Sequence, residues 1–248
     1  MESYEGLAKV YDRLMAGVDY DTWADYVMEV ATSFGSRIET VLDLACGTGN
    51  TSIPLAKQGC KVTGVDLSRH MLEIAEEKAK KAGLSINFMQ RNMLKMEFTQ
   101  PFDLVVSFQD GLNYLVGEGD FALMAKRVKA ALKPQGLFIF DLNQVKKYDD
   151  LSDGSTDIVD DEDLFMVYEY DYSKENQVWE IRVNGFIKSG ALYERFSEVH
   201  QEKQYEIEEV KSILTKEGFT IKAVWGIFTK KAPTDTCRRL LVVAEREA

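Results

Sequence analysis

The stretch Thr40 to Asn50, TVLDLACGTGN, constrains this chain more than any other. Val41 to Ala45 reads as a short buried strand carrying one acid, Asp43. Gly47 and Gly49 follow, and a helix start falls at Asn50 or Thr51. A strand that runs into a glycine-rich turn and then a helix is suited to the polar end of a nucleotide-like ligand. Glycine lets the backbone come close, and the turn presents free N–H groups. A tight strand-to-helix turn with no ligand is the plain alternative. The next apolar run, Cys60 to Asp66, also ends in an acid. Asp66 stands roughly 20 residues beyond Asp43, the spacing at which a carboxylate meets both ribose hydroxyls of an adenosine. The dinucleotide fingerprint fits poorly, because Ser52 occupies the place of its third glycine. Thr48, Asn50 and Thr51 add polar side chains, which suit a compact polar ligand end better than a pyrophosphate.

Alternation of strand and helix patterns continues beyond this turn. Pro54 sits in the first turn of a short helix, where its missing N–H costs nothing. Ser68 is placed to cap a longer helix with Met71, Leu72, Ala75 and Ala79 inward, Lys78, Lys80 and Lys81 outward, and Gly83 at its end. Ile86 to Met89, Phe102 to Phe108 and Leu137 to Asp141 read as further strands, with a helix over Phe121 to Leu132. Such βα repeats imply a parallel sheet in an α/β fold. The loop Gln109 to Tyr114 leaves the carboxyl end of the fourth strand and joins the crevice of Gly47 and Asp66.

After Asn143 the pattern changes. Lys146 to Asp163 is acidic and reads as a mobile surface loop, with cation binding a minor alternative. Leu164 to Tyr172, Gln177 to Lys188 and Leu192 to Tyr205 alternate as an antiparallel meander with one polar face. A helix from Ile207 ends at Gly218, and strands follow over Phe219 to Phe228 and Arg239 to Ala244. Residues 1–35 read as two helices that pack on the sheet or fold over its ligand as a lid.

Size and charge narrow the function. The 248 residues suit one domain with an insertion, and 45% hydrophobic content supports a core. A net charge of −11 argues against a nucleic-acid partner and favours an uncharged or cationic small molecule. No apolar run approaches the ~20 residues that span a membrane. Cys46, Cys60 and Cys237 have neither metal-ligand nor disulfide spacing, so no metal is expected. An odd cysteine count without a signal peptide suits the cytoplasm.

VLDLACGTGN, followed by VTGVDLSRHML, resembles motif I and the acidic second-strand motif of the class I S-adenosylmethionine-dependent methyltransferases. The likeness covers Tyr4 to about Asn143 well and the final hairpin more loosely. It implies a Rossmann-like, doubly wound, mostly parallel seven-stranded sheet, here carrying an antiparallel β-meander insertion. The expected division is a lid over 1–35, a cofactor-binding domain over 36–145 and 206–248, and an insertion over 146–205 that caps the acceptor or meets a second copy. Monomer and homodimer both remain open.

The cofactor implied is S-adenosylmethionine, leaving as S-adenosylhomocysteine. Asp66 is expected on the ribose diol, and the Gly47–Gly49 turn with its helix on the methionine carboxylate. The family pattern has glycine at Ala45, which keeps the backbone approach and slightly narrows the pocket. Asp43 and the backbone near Gln109 face the methionine ammonium in this reading. Leu67, Met71, Asn92 and Met93 frame the adenine, Asn92 standing where the family often has an acid. Tyr11 and Asn113 close over the sulfonium, and Tyr11-Asp12 matches a Tyr-Asp pair of the family.

Methyl transfer in line needs alignment more than acid or base, and alignment alone supplies ~7–11 kcal/mol. Asp110 and His200 are nevertheless candidate catalytic bases toward a nitrogen or oxygen acceptor, with an arginine partner and a structural histidine as the plain alternatives. The absence of an Asn-Pro-Pro-Tyr motif argues against amide or nucleobase nitrogen as acceptor. A non-catalytic cofactor-binding module and an NAD-dependent oxidoreductase are the rival functions.

Overall fold

The computed structural model describes residues 4–144 and 154–248. Its main sheet contains β1 (Thr40–Leu44), β2 (Lys61–Asp66), β3 (Asn87–Gln90), β4 (Phe102–Ser107), β5 (Leu132–Asn143), β10 (Phe219–Gly226) and β11 (Arg239–Arg246). The order is β10-β11-β5-β4-β1-β2-β3, and β11 alone runs against its neighbours. β1 pairs with β2 on one side and β4 on the other, placing Asp43 between Gly64 and Val106. Chain direction across the sheet reverses there, so a crevice opens beyond the carboxyl ends of β1 and β4.

Each face of this sheet carries its own core, as continuous apolar strands require. On one face α5 (Asp120–Ala131) and α6 (Ile207–Lys216) bring Phe121, Met124, Val128, Val210 and Leu214 onto Leu42, Leu44, Phe138 and Phe140. On the other, α2 (Tyr20–Ser33) brings Trp23, Val27 and Val30 onto Val41, Leu104 and Ile139. α3 (Ser52–Lys57) holds Pro54 in its first turn. Ser68 caps α4 (Arg69–Lys81) by accepting from Met71 N, and Gly83 leaves it at φ 69°.

The second sheet is antiparallel in the order β6 (Ser155–Asp161), β7 (Leu164–Ser173), β8 (Val178–Ser189), β9 (Leu192–Lys203). β6 corrects part of the expected acidic loop, whose stretch 146–153 lies outside the described residues. Asp157, Asp160 and Asp161 are exposed on this edge strand, where charge deters pairing with another chain. Edge protection therefore reads as loop composition.

Directly opposed residues share a face of an antiparallel sheet. Tyr168, Val183 and Glu198 thus form one row, Tyr170, Ile181 and His200 the next, and Tyr172, Trp179 and Glu202 a third. α1 (Ala8–Leu14) packs on this face, where Leu7 and Val10 meet Leu164, Met166, Val183 and Phe196.

Candidate active site

A cavity of about 560 Å³ occupies the crevice, within the size range of small-molecule sites. Its floor is the turn after β1. Ala45 and Gly47 have φ of 52° and 53°, which expose the backbone to the cavity. For alanine this left-handed geometry costs ~1–2 kcal/mol, so Ala45 accepts the strain that glycine avoids. Gly49, at φ 77°, has no room for a side chain without crowding, because a Cβ there would lie 3.1 Å from Ala75 Cβ and 3.1 Å from the Phe88 ring.

Asp66 sits at the end of β2 with both oxygens oriented by backbone. Gly47 N donates to Oδ2 and Ser68 N to Oδ1, each at 2.9 Å. Burial raises its pKa, and these two N–H groups oppose the shift. Each carboxylate oxygen has a second lone pair, so a diol can bind without displacing either bond. Asp43 is buried and accepts from Ser52 Oγ at 2.6 Å. Burial lifts its pKa to about 7, partly offset by that hydroxyl. Leu67, Met71 and Met93 supply apolar cavity wall, with Gln90 and Arg91 beside them.

The N-terminal segment closes the cavity's other side. Tyr4, Tyr11 and Tyr20 line it. Asp12 fastens this segment to the turn, accepting from Thr48 Oγ1 at 2.6 Å, Asn50 Nδ2 at 3.0 Å and Lys78 Nζ at 2.6 Å. Lys78 also donates to Asn50 Oδ1, so it departs from the solvated helix face expected from spacing. Burial acts upward on Asp12, but Lys78, Thr48 and Asn50 outweigh it and the pKa falls.

The loop after β4 is strained and braced. Gln109 and Asp110 both have positive φ, 60° and 68°. Their N–H groups point at buried Asp141, at 3.2 and 3.4 Å. Arg239 then bridges Asp141 and Asp110, the latter at 2.8 Å. Burial disfavours the Arg239 charge, yet the two carboxylates hold its pKa well above the ordinary value. Gln109, Gly111 and Tyr114 face the cavity from this loop.

Of the residues singled out in the sequence, Tyr11, Asp43, Ala45, Gly47, Asp66, Leu67, Met71, Met93 and Gln109 line the cavity. Gly49 closes the same turn, its N–H donating to Cys46 O, and four others are engaged elsewhere. Asn113 is fully buried, donates to Asn143 O and Lys203 O, and accepts from Asn143 N. It ties the second sheet to the first, which corrects its placement over the sulfonium. Asn92 Oδ1 accepts from Leu94 N at 2.8 Å, closing a local turn, and it is not among the cavity's lining residues. Asp110 is committed to Arg239, which corrects its reading as a free base.

His200 lies one layer behind the wall, its ring against Tyr4 and Tyr114. Tyr4 Oη donates to Tyr114 Oη, which is 3.5 Å from His200 Nδ1. His200 Nε2 is 3.1 Å from Glu198 Oε2, out of line for a straight hydrogen bond. Glu198 also accepts from Tyr4 N, Gly6 N and Leu7 N. Burial acts upward on Glu198, and these partners together lower its pKa.

Sequence reasoning missed Tyr4, Tyr20, Tyr114, Lys78 and Arg239. Tyr4 carried only helical spacing. Arg239 read as a strand's first residue, and its partners lie 98 and 129 positions away. The Gln109 to Tyr114 loop position was the one available signal for Tyr114.

A sequence family described as a methyltransferase domain matches residues 41–136. A chain of Geobacillus sp. (strain WCH70), provisionally named a methyltransferase, is 36% identical over 247 residues, spanning 98% of this chain and 100% of that one. An S-adenosylmethionine-dependent methyltransferase from Clostridium acetobutylicum ATCC 824 is 28% identical, with a TM-score of 0.89 over 100% of both chains. CalS10 of Micromonospora echinaspora, an amino pentose methyltransferase solved with S-adenosylmethionine bound, shares the fold at 20% identity and a TM-score of 0.75, covering 99% of each chain. This chain belongs to the S-adenosylmethionine-dependent methyltransferases.

Proposed function

We propose that the chain transfers the methyl group of S-adenosylmethionine to a nitrogen or oxygen nucleophile of a small acceptor. The observation that carries this reading is the continuity of the cavity. It runs from the Asp66 and Gly47 cradle to a wall of Tyr4, Tyr11 and Tyr114. When bound, the cofactor supplies a methyl group on a positively charged sulfur.

The residues divide the remaining work. Asp66 holds the ribose diol with the free lone pairs left by its two backbone bonds. The turn from Gly47 to Gly49, with the helix that follows, receives the methionine carboxylate. Asp43 and the loop at Gln109 face the ammonium. Leu67, Met71 and Met93 exclude water from the adenine. The segment around Tyr4 and Tyr11 acts as a lid, fastened through Asp12 and Glu198, and the second sheet caps the acceptor. His200 serves as a positioning residue, acting on the acceptor through Tyr114 rather than by contact. A small acceptor suits a cavity of this size, and the chain's acidic balance favours an uncharged or cationic one.

Calorimetry against S-adenosylhomocysteine and NAD tests the cofactor; binding of the first alone is expected. Radiolabelled methyl from S-adenosylmethionine, offered with amines, phenols and carboxylic acids, tests the reaction. Tight binding with no transfer to any class would leave a non-catalytic module.

A further inference from the structure

Among the described residues, only the inner face of the second sheet is packed, against α1 and the cavity wall. The outer face carries Ile158 on β6, Phe165 and Val167 on β7, Phe186 on β8, and Tyr193 and Val199 on β9. Ile158, Tyr193 and Val199 are 61%, 56% and 55% exposed. Phe165, Val167 and Phe186 are half-buried, and none of the six joins a hydrophobic core of the described residues. The rings of Phe165 and Phe186 meet, and Arg195 lies over Phe186, all within this face. An exposed apolar patch rimmed by charge marks an interaction site.

The charges on this face say what covers it. Pairing across the strands sets Asp160, Phe165, Phe186 and Arg195 in one row, and Thr156, Glu169, Arg182 and Val199 in another. A half-turn about an axis parallel to the strands lays each row on its own reverse. Asp160 then faces Arg195 of a second copy, Phe165 faces Phe186, and Glu169 faces Arg182. Stacked sheets keep their strands within about 30° of each other, so rows near the axis stay in register. A further row sets Asp171 against Glu180, and Arg182 already pairs with both within the face. A half-turn about an axis across the strands would instead lay β7 on β7 and bring its acids together, which like charges oppose.

We infer that two copies of the chain form a two-fold dimer by stacking the outer faces of their second sheets, with the axis parallel to the strands. Such an interface is isologous, each residue pair occurring twice. The four strands, ~4.8 Å apart and paired over roughly 30 Å, give a face of about 600 Å². Two copies together bury about 1,200 Å², above the ~1,000 Å² that a specific interface needs. Phe165 and Phe186 fill the centre, and Asp160 and Arg195 close the rim, the apolar-inside, polar-outside arrangement of protein interfaces. The edge of β6 stays unpaired, because the contact is face to face. Both inner faces, and with them both cavities, point away from the contact, so the dimer stands apart from the methyl-transfer reading.

Sedimentation velocity of the full chain tests the assembly, and a dimer with Kd below about 10 μM is expected. Asp160→Arg and Arg195→Asp should each raise that Kd at least 10-fold, because each sets like charges together at two places. Combining them exchanges the charges and restores both pairs, so the double variant should return to within 3-fold of wild type. Only the axis parallel to the strands gives that recovery. Both positions are exposed, and circular dichroism should show the wild-type fold in all three variants. A monomer at ~100 μM would overturn the inference and leave the face to a partner of another kind. A dimer that neither single variant weakens would overturn it too. So would a double variant no tighter than the weaker of the two singles.

Discussion

Removing the Asp66 carboxylate tests the cradle most directly. In the free protein its oxygens accept from Gly47 N and Ser68 N, both at 2.9 Å. Bound cofactor would add two ribose hydroxyls to the same oxygens. A hydrogen bond to a charged group contributes ~1.5–3 kcal/mol, so two are worth about 3–6 kcal/mol. At ~1.4 kcal/mol per factor of ten, Asp66→Ala should weaken S-adenosylhomocysteine binding roughly 10²- to 10⁴-fold. The lower end is expected, because the alanine variant also escapes the cost of burying a charge. The two orphaned N–H groups lie beside the cavity, where water can reach them, so the loss of fold stability should be the smaller effect. Calorimetry measures the affinity, and urea titration measures the fold. The same cause fixes a pH trend. Burial raises the Asp66 pKa, so wild-type affinity should decline as pH falls through that raised value. An affinity loss below 3-fold, at undiminished stability, would refute the assignment of the diol to Asp66.

Two further substitutions separate structure from binding. Asn113→Ala orphans Asn143 N, Asn143 O and Lys203 O; at ~1–3 kcal/mol for each buried group, and less than additively, the fold should lose roughly 3–5 kcal/mol in urea titration. Affinity of the folded fraction for S-adenosylhomocysteine should change less than 3-fold. Asp43 is held at about 7 against an ordinary 3.8, so the native state keeps its proton where the unfolded chain has released it. Wild-type stability therefore falls as pH rises from about 4 to 7, by up to about 4 kcal/mol at 1.36 kcal/mol per pH unit. Asp43→Asn should remove that fall, so its Tm advantage grows between pH 5 and pH 8 while cofactor affinity drops.

The main sheet was legible because its strands are uniformly apolar and its turns carry Gly47, Gly49, Ser68 and Gly83 at positions only such residues serve well. The count of seven strands came from the resemblance, and the antiparallel pairing of the last two strands at the sheet edge agrees with it. β6 was not legible, because Asp157, Asp160 and Asp161 protect an edge with the residues that also make loops. Lys78 misled for a related reason. Helical spacing puts it with Lys81 on a polar face, and only the arrival of Asp12 from α1 turns that face into a contact. Asn113 was placed near the right loop. Spacing gave no sign that its amide would bridge β5 and β9.

The two ends of the cavity differ in how far apart their residues lie along the chain. Asp43, Gly47, Asp66 and Met71 fall within one βαβα segment, and Asp66 reaches Gly47 across 19 positions. Local geometry fixes that end, so a short motif encodes it and the same motif serves many methyltransferases. The other end is assembled from distant parts. Tyr114 meets His200 across 86 positions, and Glu198 accepts from Tyr4 N across 194. Its shape depends on three things together: the N-terminal segment, the register of β9 against β8, and the Asn113 bracket that sets the second sheet against the first. A one-residue slip of β9 would turn Glu198, His200 and Glu202 to solvent at once. A contiguous signature therefore marks the cradle end, while the other end rests on long-range contacts that leave no contiguous pattern.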